Sequence, residues 1–382
     1  MQIKDELKEV FRVVASEIPD PKDWIHYLKP SIDKNWYTNF GPVNEDFEER
    51  IKNKYCEKNE VAITASSATS ALSACLISEG ISGEVLCPGF TFQATASSIL
   101  GANCNPIIID VDKNSGVVSP QILKEGFLNS KAKAAILLAP YGISVDFHEH
   151  EKICHEMEKI LIIDNAAGLG IKRESKFFSG SYENVIEVFS LHATKPFGIG
   201  EGGLIIAPSS KEFSIRSAMN FGLQTHANTG STSSPFWGIN GKMSEFHAAI
   251  GLAVLETIDK RIFQRQEMAK KWIDSLINID LNLNIFTHEI DNSPWQIFPI
   301  VLESEKIVEK VLKIALKNKY ELRRYYYPSL GNCHGMKSIG MCENSNNLSA
   351  RVLTLPVRSW IKKNDQENLI TSIMDILKEG YG

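Results

Sequence analysis

Between residues 61 and 208 the chain alternates short apolar runs with stretches of helical length, and this alternation limits its folds more than any other feature. The runs are VAIT (61–64), EVLCP (84–88), NPIIIDVD (105–112), AAILLAP (134–140), ILIIDNA (160–166), VIEVFS (185–190) and GGLIIAP (202–208). Each carries Ile or Val, residues that fit a pleated surface. Segments of helical period lie between them, at 68–78, 92–100 and 146–159 among others. Strands alternating with helices build a mainly parallel sheet between helical layers. Strands apolar almost throughout are what such a sheet buries on both faces.

The flanks differ. Residues 1–60 read as helical around the turn-rich NWYTNFGP (35–42), and the first twenty read as an amphipathic helix. A polar stretch rich in Ser, Thr and Gly occupies 223–236, long enough for a functional loop. A helical pattern follows from 244 to about 279, then a strand-and-helix block opening with WQIFPIVL (295–302). The expected division is an N-terminal helix or arm (1–20), a large sheet domain (21–260) and a small α+β domain (261–382).

Composition excludes several classes. A net charge of −5 lacks the basic footprint of a nucleic-acid binder. The seven cysteines are odd in number, scattered and without a CxxC pair, against a disulfide framework or zinc site and in favour of a reducing, cytoplasmic setting. No run approaches the ~18 apolar residues of a membrane span, and the N-terminus has no signal-peptide core. No metal site is expected.

Five segments carry chemistry. TASSATSAL (64–72) ends a strand and starts a helix, where free N–H groups and the Thr69 hydroxyl make an anion site. PGFTFQAT (88–95) puts Phe92 at a strand's C-terminal edge, where open α/β sheets bind ligands and a ring can stack. IIDNAAG (162–168) sets Asp164 after an apolar strand, a carboxylate costly to bury without a cation. FSLHATK (189–195) holds Ser190 and Lys195 before the glycine-rich PFGIGEGG (196–203); a lysine whose pKa is lowered there can form a Schiff base. GINGKMSE (238–245) offers Asn240 as a phosphate donor. For each alone an N-cap, a core side chain or a solvated surface residue is a competing reading. Together and in this order they suit pyridoxal 5′-phosphate: a phosphate cup, a stacking ring, an acid for the pyridinium nitrogen and a Schiff-base lysine.

These segments resemble the DegT/DnrJ/StrS sugar aminotransferases, fold type I pyridoxal-phosphate enzymes. The likeness runs from NFGP (39–42) to the final helix, through PGFTFQAT, Ser190-x-His-x-x-Lys195, Gly-Glu-Gly-Gly (200–203), Asn240-x-Lys-Met-Ser-Glu245, RRYYYP (323–328) and LTLPV (353–357). It implies a large domain with a mainly parallel seven-stranded sheet and a smaller C-terminal α+β domain. It implies that Lys195 holds the cofactor and shuttles protons, Asp164 meets the ring nitrogen and Phe92 stacks on the ring. Ala68, Thr69 and Ser190 would hold the phosphate, with Asn240 reaching the cofactor of the other subunit in a homodimer. The implied reaction moves an amino group from an amino acid, L-glutamate by analogy, to a nucleotide-linked keto-sugar. Arg323, Tyr326, Lys242 and His226 are the candidate sugar-side groups, and Arg323, Arg324 and Lys242 the candidate basic cluster for a diphosphate. Two positions depart from the family pattern: Asp164-Asn-Ala-Ala167 stands where Asp-Ala-Ala-Gln is usual, and Lys242 where Arg is usual. Asn165 is a candidate to replace the missing glutamine. The alternatives are a related enzyme acting on a non-nucleotide substrate and a pyridoxamine-dependent sugar dehydratase, a branch in which histidine typically replaces the lysine.

Overall fold

A computed structural model describes residues 10–170, 183–225, 232–286, 290–333, 335–361 and 363–382. In chain order the elements that frame the site begin with strand β1 (Phe11–Arg12), helix α1 (Pro42–Tyr55), β2 (Glu60–Ala65), α2 (Ala68–Ser78), β3 (Gly83–Pro88) and α3 (Gln93–Gly101). There follow β4 (Cys104–Ile109), β5 (Ala134–Leu138), β6 (Ile160–Asp164), β7 (Val185–Ser190), β8 (Gly203–Pro208) and α4 (Glu245–Ile277). The last part holds β9 (Leu283–Ile285), β10 (Ile297–Leu302), α5 (Glu305–Lys317), β11 (Tyr320–Glu321), β12 (Lys337–Ser338), β13 (Val352–Pro356) and α6 (Lys363–Tyr381).

The central sheet has the order β12-β4-β3-β5-β6-β7-β8-β2. Seven strands come from the alternating region, and β12 extends the edge from the C-terminal part. Only β8 runs antiparallel to its neighbours β7 and β2. Successive residues of each strand face opposite sides, as the pleat requires. Leu86, Ile107, Ala135 and Leu161 enter one core, while their neighbours Val85, Ile108, Ile136 and Ile162 enter the other. Both faces are therefore covered, which explains the near-continuous apolar runs.

The helix boundaries follow local chemistry. Ser67 caps α2 by accepting from the Ser70 amide, and the Ser70 hydroxyl accepts from the Ser67 amide in return. Ser244 caps α4 in the same sense, accepting from the His247 amide. The 33 residues of α4 span about 50 Å. This helix crosses residue 260, so the large domain and the C-terminal part share it. The C-terminal part is a three-stranded antiparallel sheet, β9-β10-β13, with α5 and α6 packed together.

The N-terminal segment departs from its expected helix. Residues 1–9 lie outside those described. Residues 11–12 form β1, which pairs in parallel with β11 of the C-terminal part, and the chain then bends and continues without regular secondary structure to Asp20. Its anchor is Glu17, buried and bonded to Arg265 of α4 at 2.7 Å and to Ser359. A backbone donor row on β11 and a buried cation satisfy this segment, so tertiary pairing overrides its amphipathic pattern. All seven cysteines are free. Among the described residues no helix is long and apolar enough to cross a membrane, and no His/Cys/Asp/Glu group is arranged to hold a metal ion.

Candidate active site

The C-terminal ends of β2, β3, β6 and β7 meet at one cavity of about 310 Å³, closed on its far side by the C-terminal part. It is lined by Ala68, Thr69, Phe92, Asp164, Ser190 and Lys195 from the sheet domain, and by Gln296, Arg323 and Tyr326 from the opposite side. Residues from Ser67 to Tyr326 thus converge because the βα turns of the parallel strands open on one edge and the C-terminal part covers that edge.

One end of the cavity is the start of α2. The first intrahelical bond runs from the Ala71 amide to the Ser67 carbonyl at 3.0 Å, so the amides of Ala68 and Thr69 precede it and stay available to an anion. Gly203 opens β8 directly beneath. A Cβ there would come within 2.5 Å of the Ser67 carbonyl group, so glycine is what lets the helix start rest on the sheet. The Ser190 hydroxyl lies close by and accepts from the His192 amide at 3.2 Å.

Asp164 ends β6 and is 5% exposed. Its Oδ2 accepts from the Thr95 hydroxyl at 2.9 Å, and Thr95 in turn bonds Thr91 at 2.8 Å. Its Oδ1 is buried with no hydrogen-bond partner. Burial raises the carboxyl above its ordinary range, against the pull of the Thr95 bond, the nearby Lys195 and the Ala166 amide. A buried carboxylate on a residue lining a cavity that ends in a helix N-terminus fits pyridoxal phosphate at both ends: a protonated ring nitrogen would complete Asp164, and the phosphate would take the α2 amides.

Lys195 sits between these ends. Its Nζ donates to Gln296 Oε1 at 3.0 Å. Burial lowers its pKa to about 8, against the attraction of Asp164. A lysine with this pKa stays mostly protonated near physiological pH but keeps about a fifth of its amine in the neutral form that a nucleophile or base needs, far more than an ordinary lysine. In the cofactor-free protein, the rate of Lys195 labelling by an amine reagent is expected to rise with a midpoint near pH 8. Peptide mapping across a pH series measures it, and a midpoint at the ordinary lysine value of 10.5 would contradict the assignment.

The two phenylalanines of PGFTFQAT separate cleanly. Phe90 is core, with its ring edge-on to Tyr326 at 5.4 Å. Phe92 is 51% exposed, lines the cavity, and offers a free face for stacking. Tyr326 stacks on the buried Tyr141 at 5.3 Å, and burial pushes its phenol pKa up; it acts as a neutral wall. Arg323 lines the rim, but Glu321 already accepts its Nε at 2.6 Å and the Tyr325 hydroxyl accepts its Nη1 at 3.0 Å.

The expected basic cluster does not assemble. Arg324 turns to Glu305 of α5 at 2.8 Å and lies over the Tyr327 ring at 3.5 Å. Lys242 lies outside the cavity lining; it donates to Asn220 at 2.9 Å and sits over the Phe221 ring. Asn240 pairs with Asn220, is exposed, and likewise does not line the cavity of its own chain. His226 lies outside the described residues. Asn165 does not replace a glutamine beside the ring: its amide donates to the buried Glu187 of β7 at 2.8 Å. Ala167 is buried and supplies only a methyl group.

The sequence reading gave no role to Thr95 or Gln296. Thr95 was findable, since Thr91 and Thr95 are spaced to share one side of a helical turn at the strand edge. Gln296 left only a faint trace, a polar residue near the head of the apolar run WQIFPIVL.

A sequence profile described as the DegT/DnrJ/EryC1/StrS aminotransferase family matches residues 20–374. The dTDP-4-amino-4,6-dideoxy-D-glucose transaminase of Shigella dysenteriae is 27% identical over 97% of this chain and 99% of its own length. The GDP-perosamine synthase of Escherichia coli O157:H7 is 29% identical over 79% of this chain and 81% of its own. The structure of DesI with its TDP-sugar product superposes with a TM-score of 0.84 at 23% identity, covering 97% of this chain and 93% of DesI. An aminotransferase from Brucella abortus superposes with a TM-score of 0.81 at 20% identity, covering 94% and 96%. These two share the fold.

Proposed function

The chain belongs to the DegT/DnrJ/EryC1/StrS aminotransferase family, whose members depend on pyridoxal phosphate, and from that premise we propose that it transfers an amino group from an amino acid, L-glutamate first among candidates, to a nucleotide-linked keto-sugar. The observation that carries the reading is that one cavity is lined both by Lys195 and by Asp164, whose Oδ1 has no hydrogen-bond partner. The sugar half rests on the full-length relatives named for amino-sugar nucleotides.

Pyridoxal phosphate supplies an electron sink that acidifies the donor's Cα–H and stores the amino group between half-reactions. The residues of this chain do the rest. Asp164, fixed by Thr95, would hold a proton on the ring nitrogen. The amides of Ala68 and Thr69 would hold the phosphate, with Ser190 assisting. Phe92 would cover one ring face. Lys195 Nζ would act as the base that takes the donor's Cα proton and as the acid that later returns a proton to the sugar carbon. Arg323 and Tyr326 face the sugar side. Incubating the protein with glutamate and a panel of nucleotide keto-sugars should release 2-oxoglutarate and an amino-sugar nucleotide in equal amounts. Oxo-acid acceptors supporting turnover while every keto-sugar fails would sink the sugar assignment.

A homodimer is part of this reading. Trp36, Tyr37, Phe221, Trp237 and Phe246 are exposed, Trp237 at 90%. Tyr37 stacks on Phe246, and Lys242 bridges Phe221 to Asn220 beside Asn240. Apolar rings beside a polar group that misses its own cavity suit a two-fold interface that delivers Asn240 to the partner's site. Phe246→Glu should raise the dimer dissociation constant by at least ~10-fold and lower activity in proportion to the monomer formed. Sedimentation at several concentrations measures this; a fully active monomer would contradict it.

A further inference from the structure

The amine of Lys195 is held by a residue from the opposite side of the cavity. Gln296 lies 101 residues further along the chain, immediately before β10. Its side chain is oriented by two contacts: Oε1 accepts from Lys195 Nζ at 3.0 Å, and Nε2 donates to the Thr194 carbonyl at 3.4 Å. Flipping the amide would set Oε1 against that carbonyl, two acceptors face to face, so the oxygen is committed to the lysine. The backbone is equally constrained. The Gln296 amide donates to the Tyr141 carbonyl at 2.8 Å. Arg265 Nη1 donates to the carbonyls of Trp295 and Gln296 at 3.0 and 3.4 Å and to that of Val357 at 3.0 Å. Arg265 is buried and paired with Glu17.

We propose that Gln296 is a positioning residue: by accepting one N–H of the Lys195 amine, it directs the nitrogen lone pair into the cavity. A lysine side chain has four rotatable carbons, and an amine free to turn spends most of its time misaligned for proton transfer. A neutral acceptor orients the amine without adding a charge that would hold it protonated. The charged or titratable groups that line the cavity with Lys195 are, among the described residues, Asp164 from β6, His192 and Glu201 from its own loop, and Arg323, Tyr325 and Tyr326 from the opposite side, and of these Asp164 acts on the lysine. A second carboxylate at 296 would tip that balance towards the ammonium form.

The inference rests on Lys195 as the proton carrier, and its test is separable from the substrate assignment because no sugar enters it. In the cofactor-free full-length protein, Gln296→Glu should move the midpoint of Lys195 labelling upward by about one pH unit or more. Gln296→Ala should move it slightly downward, since the acceptor that favours the ammonium is gone. In the cofactor-loaded enzyme, Gln296→Ala should lower kcat at least ~10-fold with the KM for the amino donor within about twofold. Gln296→Glu should shift the acidic limb of the kcat profile upward by the same interval as the labelling midpoint. The near-isosteric Glu variant keeps the test decisive if the Ala variant does not fold. Labelling midpoints and pH profiles unchanged from wild type in a folded Glu variant would overturn the proposal.

Discussion

Lys195→Ala is expected to lose transamination by roughly 10⁴-fold or more, the upper range for removing a general acid–base, with loss of the covalent anchor added to it. Among the described residues no other lysine lines the cavity. His192, a nitrogen base that does line it, is already engaged with Thr194 and lies 3.7 Å from Glu201. Steady-state rates with glutamate and any accepted oxo-acid measure the loss. Borohydride reduction followed by peptide mapping should attach the cofactor to residue 195 in the wild type and nowhere in the variant. A variant that keeps more than a few per cent of the rate would remove Lys195 from its assigned role, and the inference about Gln296 with it.

Asp164→Asn has the second largest expected effect. The variant keeps the volume and removes the charge that Thr95 holds in place. Breaking a buried ion pair costs about 3–5 kcal/mol, and if that appears in the transition state the rate falls by roughly 10²- to 5 × 10³-fold. The same residue makes a separate prediction for the cofactor-free protein. Its carboxyl pKa is raised on folding from an ordinary 3.8, chiefly by burial. Its contribution to stability is then fully present below the unfolded value and lost as pH rises through the folded one. Cofactor-free wild type should therefore lose stability relative to Asp164→Asn as pH rises from near 3.8, and bound cofactor should restore it by supplying the missing cation. Urea melts of both proteins across that range, with and without cofactor, report the sign. A wild type that gains stability over the variant as pH rises, with no cofactor present, would contradict a raised pKa.

The sheet was legible because a doubly covered parallel strand leaves a local mark. The runs at 61–64, 84–88 and 185–190 differ from β2, β3 and β7 by at most a residue or two at either end. The start of α2 was legible for the same reason, since capping by Ser67 and the small residues after it are local chemistry. What escaped the sequence depends on contacts between distant segments. Glu17 ties the irregular segment 13–20 to the body of the fold by reaching Arg265, and no helical pattern within those residues records that partner. Asn165 stood beside the site in sequence, but alternation along the chain turned it to Glu187. Arg323 and Arg324 looked like one cation cluster; adjacent residues at the end of a strand diverge, and each found its own glutamate. Gln296 reaches the chemistry only because the C-terminal part closes over the sheet.

The most direct test of the account is a single-turnover measurement on the purified enzyme loaded with pyridoxal phosphate. Adding glutamate alone should bleach the visible absorption of the bound cofactor and release one equivalent of 2-oxoglutarate per site. Removing the glutamate and adding nucleotide keto-sugars one at a time should then restore the absorption with at least one of them, matched by one equivalent of amino-sugar nucleotide. If glutamate and other amino acids bleach the enzyme and only non-nucleotide acceptors restore it, the nucleotide-sugar assignment falls. If no amino acid changes the spectrum, the assignment of Lys195 and Asp164 as a transaminating pair falls as well.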